Sequence, residues 1–328
     1  MRALTPSGAW LIALLVAPAA AQTRAPDAAP SYPNKPIRMI VPFTAGSATD
    51  FLARVIGPKM LETWGQQVIV DNRPSAGGIV AGEIVAHAVP DGHTLMLNSS
   101  AFAGSAALYS KLPFDPIKDF AGVSQIGGTA VMLVAAPSLG VKSLKELIAL
   151  AKQKPGQLNF GSSGIGSGTH YAGELFMLAA GIKAVHVPYK GTPEVVADTI
   201  AGRLHYSIVA MPPSVALVRS GRLLGLAVTT AARQPSVPDV PTMAEAALPG
   251  FEYDGWFGVF APGRTPRAIV NKLSTETARI LGLSDVREQI LNNGVTPKSS
   301  TPEAFDKLVR SEIAMRAKIF KAAGAKVE

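Results

Sequence analysis

Short apolar runs alternate with longer amphipathic segments along nearly the whole chain. Continuous apolar runs bounded by Gly, Pro or Asn predict strands, and apolar residues at a spacing of three to four predict helices. The predicted strands are 37–42, 67–72, 94–98, 131–136, 158–162, 184–188, 205–211 and 223–229. The predicted helices are 50–64, 78–88, 143–154, 169–180, one that starts at 192, 266–281, 284–293 and 302–323. This alternation is typical of an α/β protein with parallel sheets covered by helices.

Two Pro- and Gly-rich stretches, 112–120 and 234–251, interrupt the alternation. We interpret them as crossings or lids between two lobes. The predicted organisation is a first part of lobe 1 over 37–130, lobe 2 over 131–245, and a return to lobe 1 over 246–328, where the C-terminal helices pack. Each lobe is expected to be a mostly parallel sheet flanked by helices.

The first residues have the pattern of a secretory signal. Met1-Arg2 is followed by the apolar run 9–17 and by Ala19-Ala20-Ala21, which fits an Ala-x-Ala cleavage site. The apolar run is shorter than the roughly 20 residues that a membrane-spanning helix requires. We therefore predict a signal peptide over 1–21, cleavage near Ala21, export to the periplasm and an Ala- and Pro-rich lead-in over 22–36.

Composition and charge narrow the functional classes. A hydrophobic content of 48% with 16% charged residues indicates a globular chain with a large core. Cysteine is absent from the sequence, which excludes disulfides, thiol catalysis and thiolate metal sites. The formal net charge is +8, but the basic residues are scattered and are not interleaved with aromatic residues. Nucleic-acid binding is therefore not expected, whereas a mildly positive field would attract small anions.

Two stretches of the chain follow the same plan. Residues 38–50 and 158–170 each combine a short apolar run, a turn of Gly, Ser and Thr, and the start of a helix. A helix start offers unpaired backbone N–H groups and a partial positive charge, and small residues let a ligand approach that backbone closely. Two such turns, far apart in sequence, predict two lobes that close on one anionic ligand.

The Gly-rich turns do not match nucleotide-binding or hydrolase motifs. Gly164, Gly166 and Gly168 have the spacing Gly-x-Gly-x-Gly, which differs from the dinucleotide fingerprint, and the sequence has no phosphate-binding Gly-x-x-x-x-Gly-Lys-Ser/Thr motif. It has no Gly-x-Ser-x-Gly elbow either. The five histidines form no His-x-x-x-His pair. We therefore predict no cofactor, no metal and no catalytic residue.

Several residues allow two interpretations. His170, in the first turn of the second predicted helix, either contacts the ligand or orients the turn. Asp50, at the equivalent place in the first turn, would repel a directly bound anion, so we expect it to shape the loop or to bind water or an amine. Lys190 faces either solvent or the cleft. An aromatic cluster near the second crossing either packs in the core or places one ring in the cleft. Its members are Tyr253, Trp256, Phe257 and Phe260.

A series of longer motifs resembles one known family in content and order. It includes Tyr32-Pro-Asn-Lys-Pro-Ile-Arg-Met-Ile-Val-Pro-Phe43, Ala45-Gly-Ser-Ala-Thr-Asp50, Pro90-Asp-Gly-His-Thr-Leu95, Val187-Pro-Tyr-Lys-Gly191 and Trp256-Phe-Gly-Val-Phe-Ala-Pro262. Over residues 32–328 the chain resembles the tripartite tricarboxylate transporter receptor family, the Bug-type periplasmic solute-binding proteins. The resemblance implies a two-lobed periplasmic-binding-protein fold, a Venus flytrap of type II-like form. It also implies a monomer that captures a small organic carboxylate and delivers it to membrane permease subunits or a sensor ectodomain.

The resemblance further implies which residues bind the ligand. Family members hold a carboxylate between the two strand-to-helix turns, partly through bridging water. Carried onto this chain, the contacts would come from both turns and from the end of the 94–98 strand. The implied ligand-binding residues are Phe43, Ala45, Gly46, Thr49, Asp50, Asn98, Ser99, Ser162, Ser163, Thr169 and His170.

The chain departs from the family pattern at three places. Ser47 stands where glycine is usual, Ile79 where asparagine is common, and 210–213 (Ala-Met-Pro-Pro) where a more polar turn is frequent. If Ile79, Ala210 and Met211 surround the far end of the ligand, an aromatic or branched monocarboxylate should bind more tightly than aspartate, glutamate or citrate. An enzyme on a similar fold is the alternative function, and for it the sequence offers no nucleophile–base pair, metal set or cofactor fingerprint.

Overall fold

Two mixed β-sheets flanked by helices make up the part of the chain that this computed structural model describes, namely Met1 and residues 32–322. The predicted signal peptide after Met1, most of the predicted lead-in and the last six residues lie outside it. Within the described residues, no helix combines the length and the apolar character needed to cross a bilayer.

The first sheet has six strands, which are β1 (Ile37–Val41), β2 (Val68–Asn72), β3 (Thr94–Ser99), β4 (Phe120–Thr129), β10 (Gly255–Pro262) and β11 (Val295–Pro297). Their order is β11-β4-β10-β3-β1-β2. β1 runs parallel to β2 and β3. β10 is antiparallel to both β3 and β4, and β11 is antiparallel to β4. We call this sheet and its helices lobe 1.

The second sheet has five strands, which are β5 (Val131–Ala135), β6 (Asn159–Ser162), β7 (Val185–Pro188), β8 (Tyr206–Ala210) and β9 (Leu224–Val228). Their order is β7-β6-β8-β5-β9. β6 runs parallel to β7 and β8, whereas β5 is antiparallel to β8 and β9. We call this sheet and its helices lobe 2.

Helices follow most of the strands, and several begin where a strand-to-helix turn ends. The α-helices of the described residues are α1 (Ala48–Trp64), α2 (Ile79–Ala86), α3 (Ala101–Leu108), α4 (Leu144–Gln153), α5 (Gly168–Ala180), α6 (Thr192–Ile200), α7 (Val215–Arg219), α8 (Met243–Ala246), α9 (Arg267–Gly282), α10 (Ser284–Asn292) and α11 (Pro302–Ala322). α1 illustrates how local sequence sets the bounds. Ser47 caps its start, and Gly65 ends it in the left-handed conformation at φ 68°.

The α/β, two-lobed fold class is confirmed, but the expectation that the sheets are mostly parallel is wrong. Two of the five strand pairs in lobe 1 and two of the four in lobe 2 are parallel. Strand–helix–strand alternation predicts parallel pairing only for strands joined by a crossover helix. β4 and β10 instead carry the chain out of lobe 1 at Ala130 and back into it at Gly255, side by side and in opposite directions. The domain bounds given above stay a prediction.

Each sheet has a core of its own, and α11 contacts both. In lobe 1, Phe102, Phe120, Trp256, Phe260 and Phe305 pack together. In lobe 2, one face is filled by a cluster that includes Phe160, Phe176 and Tyr206. α11 packs on α3 and β4 of lobe 1, and its Phe320 lies in the lobe 2 cluster. The C-terminal helix therefore spans the two lobes.

Candidate ligand-binding site

The turn from β1 into α1 is shaped by its own side chains. Gly46 has φ 78°, a conformation that favours glycine, and its N–H donates to Asp50 Oδ2 at 2.9 Å. Ser47 is the N-cap, with its Oγ accepting the Asp50 N–H at 3.4 Å and lying 3.2 Å from Thr49 Oγ1. The turn and the helix start are thus fixed before any ligand is considered.

The turn from β6 into α5 repeats this arrangement. Gly166 also has φ 78°, and its N–H donates to His170 Nδ1 at 3.2 Å. Ser167 Oγ accepts the His170 N–H at 3.1 Å and lies 2.9 Å from Thr169 Oγ1. Thr169 Oγ1 in turn accepts the Ser163 N–H at 2.9 Å. Gly-Ser-x-Thr followed by a side-chain acceptor therefore builds both helix starts.

Each helix start leaves backbone N–H groups for a ligand. The first N–H groups of a helix have no intrahelical acceptor, and in each case the capping serine takes the third. The remaining donors belong to Ala48 and Thr49 in α1 and to Gly168 and Thr169 in α5. Together with the positive ends of two helix dipoles, these four groups favour an anion.

Both helix starts line one cavity. Of residues 32–322, none that lines it is charged, and its polar side chains are all hydroxyls. These are Ser47, Thr49, Ser99, Ser100, Thr129, Ser163, Ser167, Thr169, Thr192 and Tyr253. The rest of the lining is Phe43, Ala48, Val131, Gly168, Ala210, Gly255 and Phe257. The cavity therefore offers neutral donors beside an apolar wall.

The lobes meet on both sides of this cavity. On one side, Thr44 of lobe 1 donates from Oγ1 to Glu194 Oε2 of lobe 2 at 3.0 Å and from its N–H to the Lys190 carbonyl at 3.4 Å. On another side, the α3 backbone touches the second turn so closely that a Cβ on Gly104 would lie 2.0 Å from the Gly166 carbonyl oxygen. The described arrangement is a closed one.

Five of the predicted ligand-binding residues line the cavity, and six do not. The five are Phe43, Thr49, Ser99, Ser163 and Thr169. The other six are absent from the lining. These are Ala45, Gly46, Asp50, Asn98, Ser162 and His170. A direct ligand contact for these six stays a prediction.

Asp50 and His170 occupy equivalent places and both stabilise a turn. Asp50 accepts from Arg54 Nε at 2.9 Å as well as from Gly46. Burial alone would raise the pKa of Asp50, but these hydrogen bonds outweigh it and hold the pKa below its usual value. His170 Nδ1 accepts from Gly166, and its Nε2 lies 3.4 Å from Glu174 Oε1. For both residues, the loop-shaping interpretation agrees with these contacts.

A column of stacked rings lies beneath the second turn. The His186 ring lies 4.8 Å from the Phe160 ring and 4.3 Å from the His170 ring, and Phe320 of α11 follows 5.7 Å beyond His170. Ser162 Oγ lies 2.7 Å from His186 Nε2. Burial, with a smaller effect of His170, lowers the pKa of His186 to about 3. His186 is therefore neutral at physiological pH. The residues described include no cluster able to hold a metal ion.

Several residues that line the cavity were not predicted from the sequence, although a local signal existed for two of them. The capping serines Ser47 and Ser167 were recognisable, because each precedes a side-chain acceptor by three residues as an N-cap does. Ser100 and Tyr253 come from distant loops, and no local pattern brings them together. Of the aromatic cluster, Tyr253 and Phe257 line the cavity, whereas Trp256 and Phe260 belong to the lobe 1 core.

The prediction that three apolar residues surround the far end of the ligand is corrected in part. Ala210 lines the cavity, but Ile79 does not, and Met211 is fully buried in the lobe 2 core. Ala210 ends β8, and successive side chains of an extended chain point to opposite faces. The apolar wall consists instead of Phe43, Val131, Ala210 and Phe257. Lys190 is exposed, and its backbone carbonyl oxygen accepts the Thr44 N–H of lobe 1.

Comparison with known proteins places the chain among solute receptors. The family described as "Tripartite tricarboxylate transporter family receptor" matches residues 52–325. The protein BugT of Bordetella pertussis is 36% identical over 312 residues, which are 94% of this chain and 96% of BugT. A solved structure of R. palustris Rpa4515 with adipate has a TM-score of 0.87 and 36% identity, covering 90% of this chain and 100% of that one.

A second solved structure, MatC from Rhodopseudomonas palustris with bound malate, has a TM-score of 0.83 and 33% identity. The match covers 88% of this chain and 99% of MatC. The family match and the two-lobed fold agree with the resemblance found in the sequence motifs. The chain belongs to the tripartite tricarboxylate transporter receptor family.

Proposed function

We propose that this receptor captures a small carboxylate between the starts of α1 and α5 in the periplasm, after cleavage near Ala21. It then delivers the ligand to the permease subunits of a tripartite tricarboxylate-type transporter or to a sensor ectodomain. One observation carries the proposal: two helix starts of the same design, each with free N–H groups, line one cavity between the lobes, and of residues 32–322 none that lines it is charged. The family membership supports the receptor role.

Neutral donors suffice for an anion in such a cavity. Backbone N–H groups at helix starts bind carboxylates and phosphates without a cationic side chain, and hydrogen bonds to an ionised acceptor are roughly twice as strong as those between neutral groups. Ala48, Thr49, Gly168 and Thr169 supply the N–H groups, directly or through one bridging water.

The ligand body is bounded by the apolar wall of Phe43, Val131, Ala210 and Phe257. Solved relatives contain adipate and malate, which supports a carboxylate as the ligand class here. The apolar wall supports an aliphatic or aromatic body, because leaving an ammonium or a second carboxylate unpaired against it would cost several kcal/mol. We therefore expect benzoate-type or branched monocarboxylates to bind more tightly than aspartate, glutamate or citrate.

Turnover of the ligand is the alternative to its capture. Of residues 32–322, those that line the cavity carry no carboxylate, imidazole, amine or thiol. General acid–base and nucleophilic catalysis usually need one of these groups at the reacting atoms, so the lining supports binding without chemistry. Incubating the protein with any ligand that binds and analysing the ligand for conversion separates the two functions.

A thermal-shift screen of the chain from residue 22 onward tests the proposal. The series contains adipate, malate, citrate, glutamate, benzoate and the uncharged amides of adipate and benzoate. A ligand at 100 times its Kd should stabilise the protein by about 2.7 kcal/mol, and hits are confirmed by calorimetric titration. Binding of at least one carboxylate, with weaker binding of its amide, supports the proposal. No stabilisation by any carboxylate at 10 mM, taken as roughly 100 times a Kd of about 0.1 mM, would count against it.

A further inference from the structure

Arg316 of α11 is completely buried behind the cavity, although a guanidinium is always charged. Its Cζ lies 4.3 Å from the centre of the Tyr171 ring and 5.5 Å from that of Tyr253. Its Nε donates to Glu312 Oε2 at 2.8 Å. Replacing a buried ion pair by apolar residues is often neutral or stabilising. Stability of the fold therefore does not by itself account for a guanidinium at this place.

The guanidinium also donates to one hydroxyl group of the cavity, which is hydrogen-bonded to a second hydroxyl group. Arg316 Nη2 donates to Tyr253 Oη at 3.2 Å, and Tyr253 Oη lies 2.9 Å from Ser100 Oγ. A guanidinium only donates, so neither hydroxyl hydrogen can point back toward it. One hydrogen joins the two hydroxyls, and the other is left for the cavity that Ser100 and Tyr253 both line.

This hydroxyl pair lies directly at the start of α5. A Cβ on Gly168 would be 2.7 Å from Tyr253 Oη and 2.8 Å from Ser100 Oγ. Gly168 is the first residue of α5, and its N–H is one of the free donors described above. The remaining hydroxyl hydrogen and the helix-start N–H groups therefore converge on the same part of the cavity.

We propose that Arg316 is a positioning residue for anion recognition, which orients the Tyr253–Ser100 pair as a donor toward the ligand. The proposal rests on the carboxylate-binding function above. An ionised carboxylate only accepts hydrogen bonds, whereas the NH₂ group of an amide only donates. A pair held as a donor by Arg316 can bind either oxygen of a carboxylate but only the neutral carbonyl oxygen of an amide, so it favours the carboxylate. Without Arg316, the hydroxyl hydrogen that faces the cavity can turn away from it, and the Tyr253–Ser100 pair can then accept a hydrogen bond from the ligand.

The test compares affinities for adipate with adipamide and for benzoate with benzamide by calorimetric titration. Arg316→Met is combined with Glu312→Gln, so that the double variant leaves no charge buried alone, and the double variant is measured against the wild-type protein. We expect the carboxylate affinity to fall about tenfold and the amide affinity to change less than about twofold. A purely structural role would weaken both ligands equally, so equal losses, or no loss, would overturn the proposal.

Tyr253→Phe keeps the Arg316–Glu312 ion pair and removes the hydroxyl between the guanidinium and Ser100, so it decides the question if the Arg316 variant does not fold. The carboxylate-to-amide preference should fall in the same way, and an unchanged preference would overturn the proposal. Wild-type protein that binds no carboxylate of the thermal-shift series would instead refute the proposed function, and with it this inference. Wild-type binding with unchanged variants would refute this inference alone.

Discussion

The contact between Thr44 and Glu194 should make Glu194 a determinant of ligand affinity although it lies outside the cavity lining. The Thr44 Oγ1 to Glu194 Oε2 hydrogen bond of 3.0 Å joins the two lobes in the closed form. Opening the cleft would expose both groups to water. The bond therefore stabilises only the closed, ligand-holding form, and the apparent Kd rises as the fraction of protein in this competent form falls.

The expected size of the effect follows from the kind of bond. A hydrogen bond to a charged acceptor contributes about 1.5–3 kcal/mol, and partial exposure of this pair reduces that to about 1 kcal/mol. Glu194→Ala should then weaken binding about fivefold, mainly through faster dissociation. Calorimetric titration and stopped-flow dissociation measure the two quantities.

Glu146→Ala is the matched control. Glu146 and Glu194 are both acidic residues in the first turn of a lobe 2 helix, but Glu146 accepts the Lys142 N–H within its own lobe. Each replacement loses the same favourable interaction with a helix dipole, about 0.3–1 kcal/mol. The two variants should therefore lose similar thermal stability, and only Glu194→Ala should lose affinity. Equal affinities would refute the inter-lobe role, as would a Thr44→Val effect that adds fully to that of Glu194→Ala.

Three further predictions concern the turns and the histidine column. Gly166→Val should abolish binding with an intact circular dichroism spectrum, because Gly166 has φ 78° and a Cβ would lie 3.0 Å from Ser105 Oγ; normal affinity would remove the second turn from the site. Lys190→Ala should change affinity only a few-fold, since the exposed side chain does not line the cavity; a loss of several hundred-fold would show that a point charge carries recognition. His186 has a pKa of about 3 in the folded state and about 6.5 in the unfolded state, so the folded state binds fewer protons. Its contribution to the free energy of unfolding is therefore complete above pH 6.5 and is lost as the pH falls toward 3. Urea unfolding should show stability lower by about 1 kcal/mol at pH 5.5 than at pH 7, a difference that His186→Gln should remove, and an unchanged pH profile in that variant would refute the assignment.

Local patterns predicted the elements whose formation is decided locally. The α1 helix follows from its apolar spacing and its capping serine, and its observed bounds differ from the predicted ones by two residues at the start. β4 was missed because Gly122, Gly127 and Gly128 weaken a strand pattern. These glycines have a tertiary role, since a Cβ on Gly127 would lie 2.7 Å from Val295 Cγ1 of the neighbouring β11. Antiparallel pairing of β4 with β10 depends on contacts that no local window contains.

The same division holds for the candidate site. The family resemblance implied Thr49 and Thr169 as ligand-binding residues, and each stands in a turn whose composition indicates a helix start open to a ligand. Ser100 and Tyr253 are separated by 153 residues and meet only in the folded chain. Met211 was placed wrongly because sequence alone does not show on which face of the chain the residue after β8 lies. Residues within one turn were predictable, and those assembled from different loops were not.

A crystal structure of the protein with a bound carboxylate would show whether the two helix starts hold the ligand. We expect the carboxylate oxygens at about 3 Å, directly or through one water, from the N–H groups of Thr49 in α1 and Thr169 in α5, with the ligand body against Phe257. A carboxylate bound instead beside Arg54, or paired with Lys190, would contradict this expectation, because recognition would then depend on a cationic side chain and not on the two helix starts.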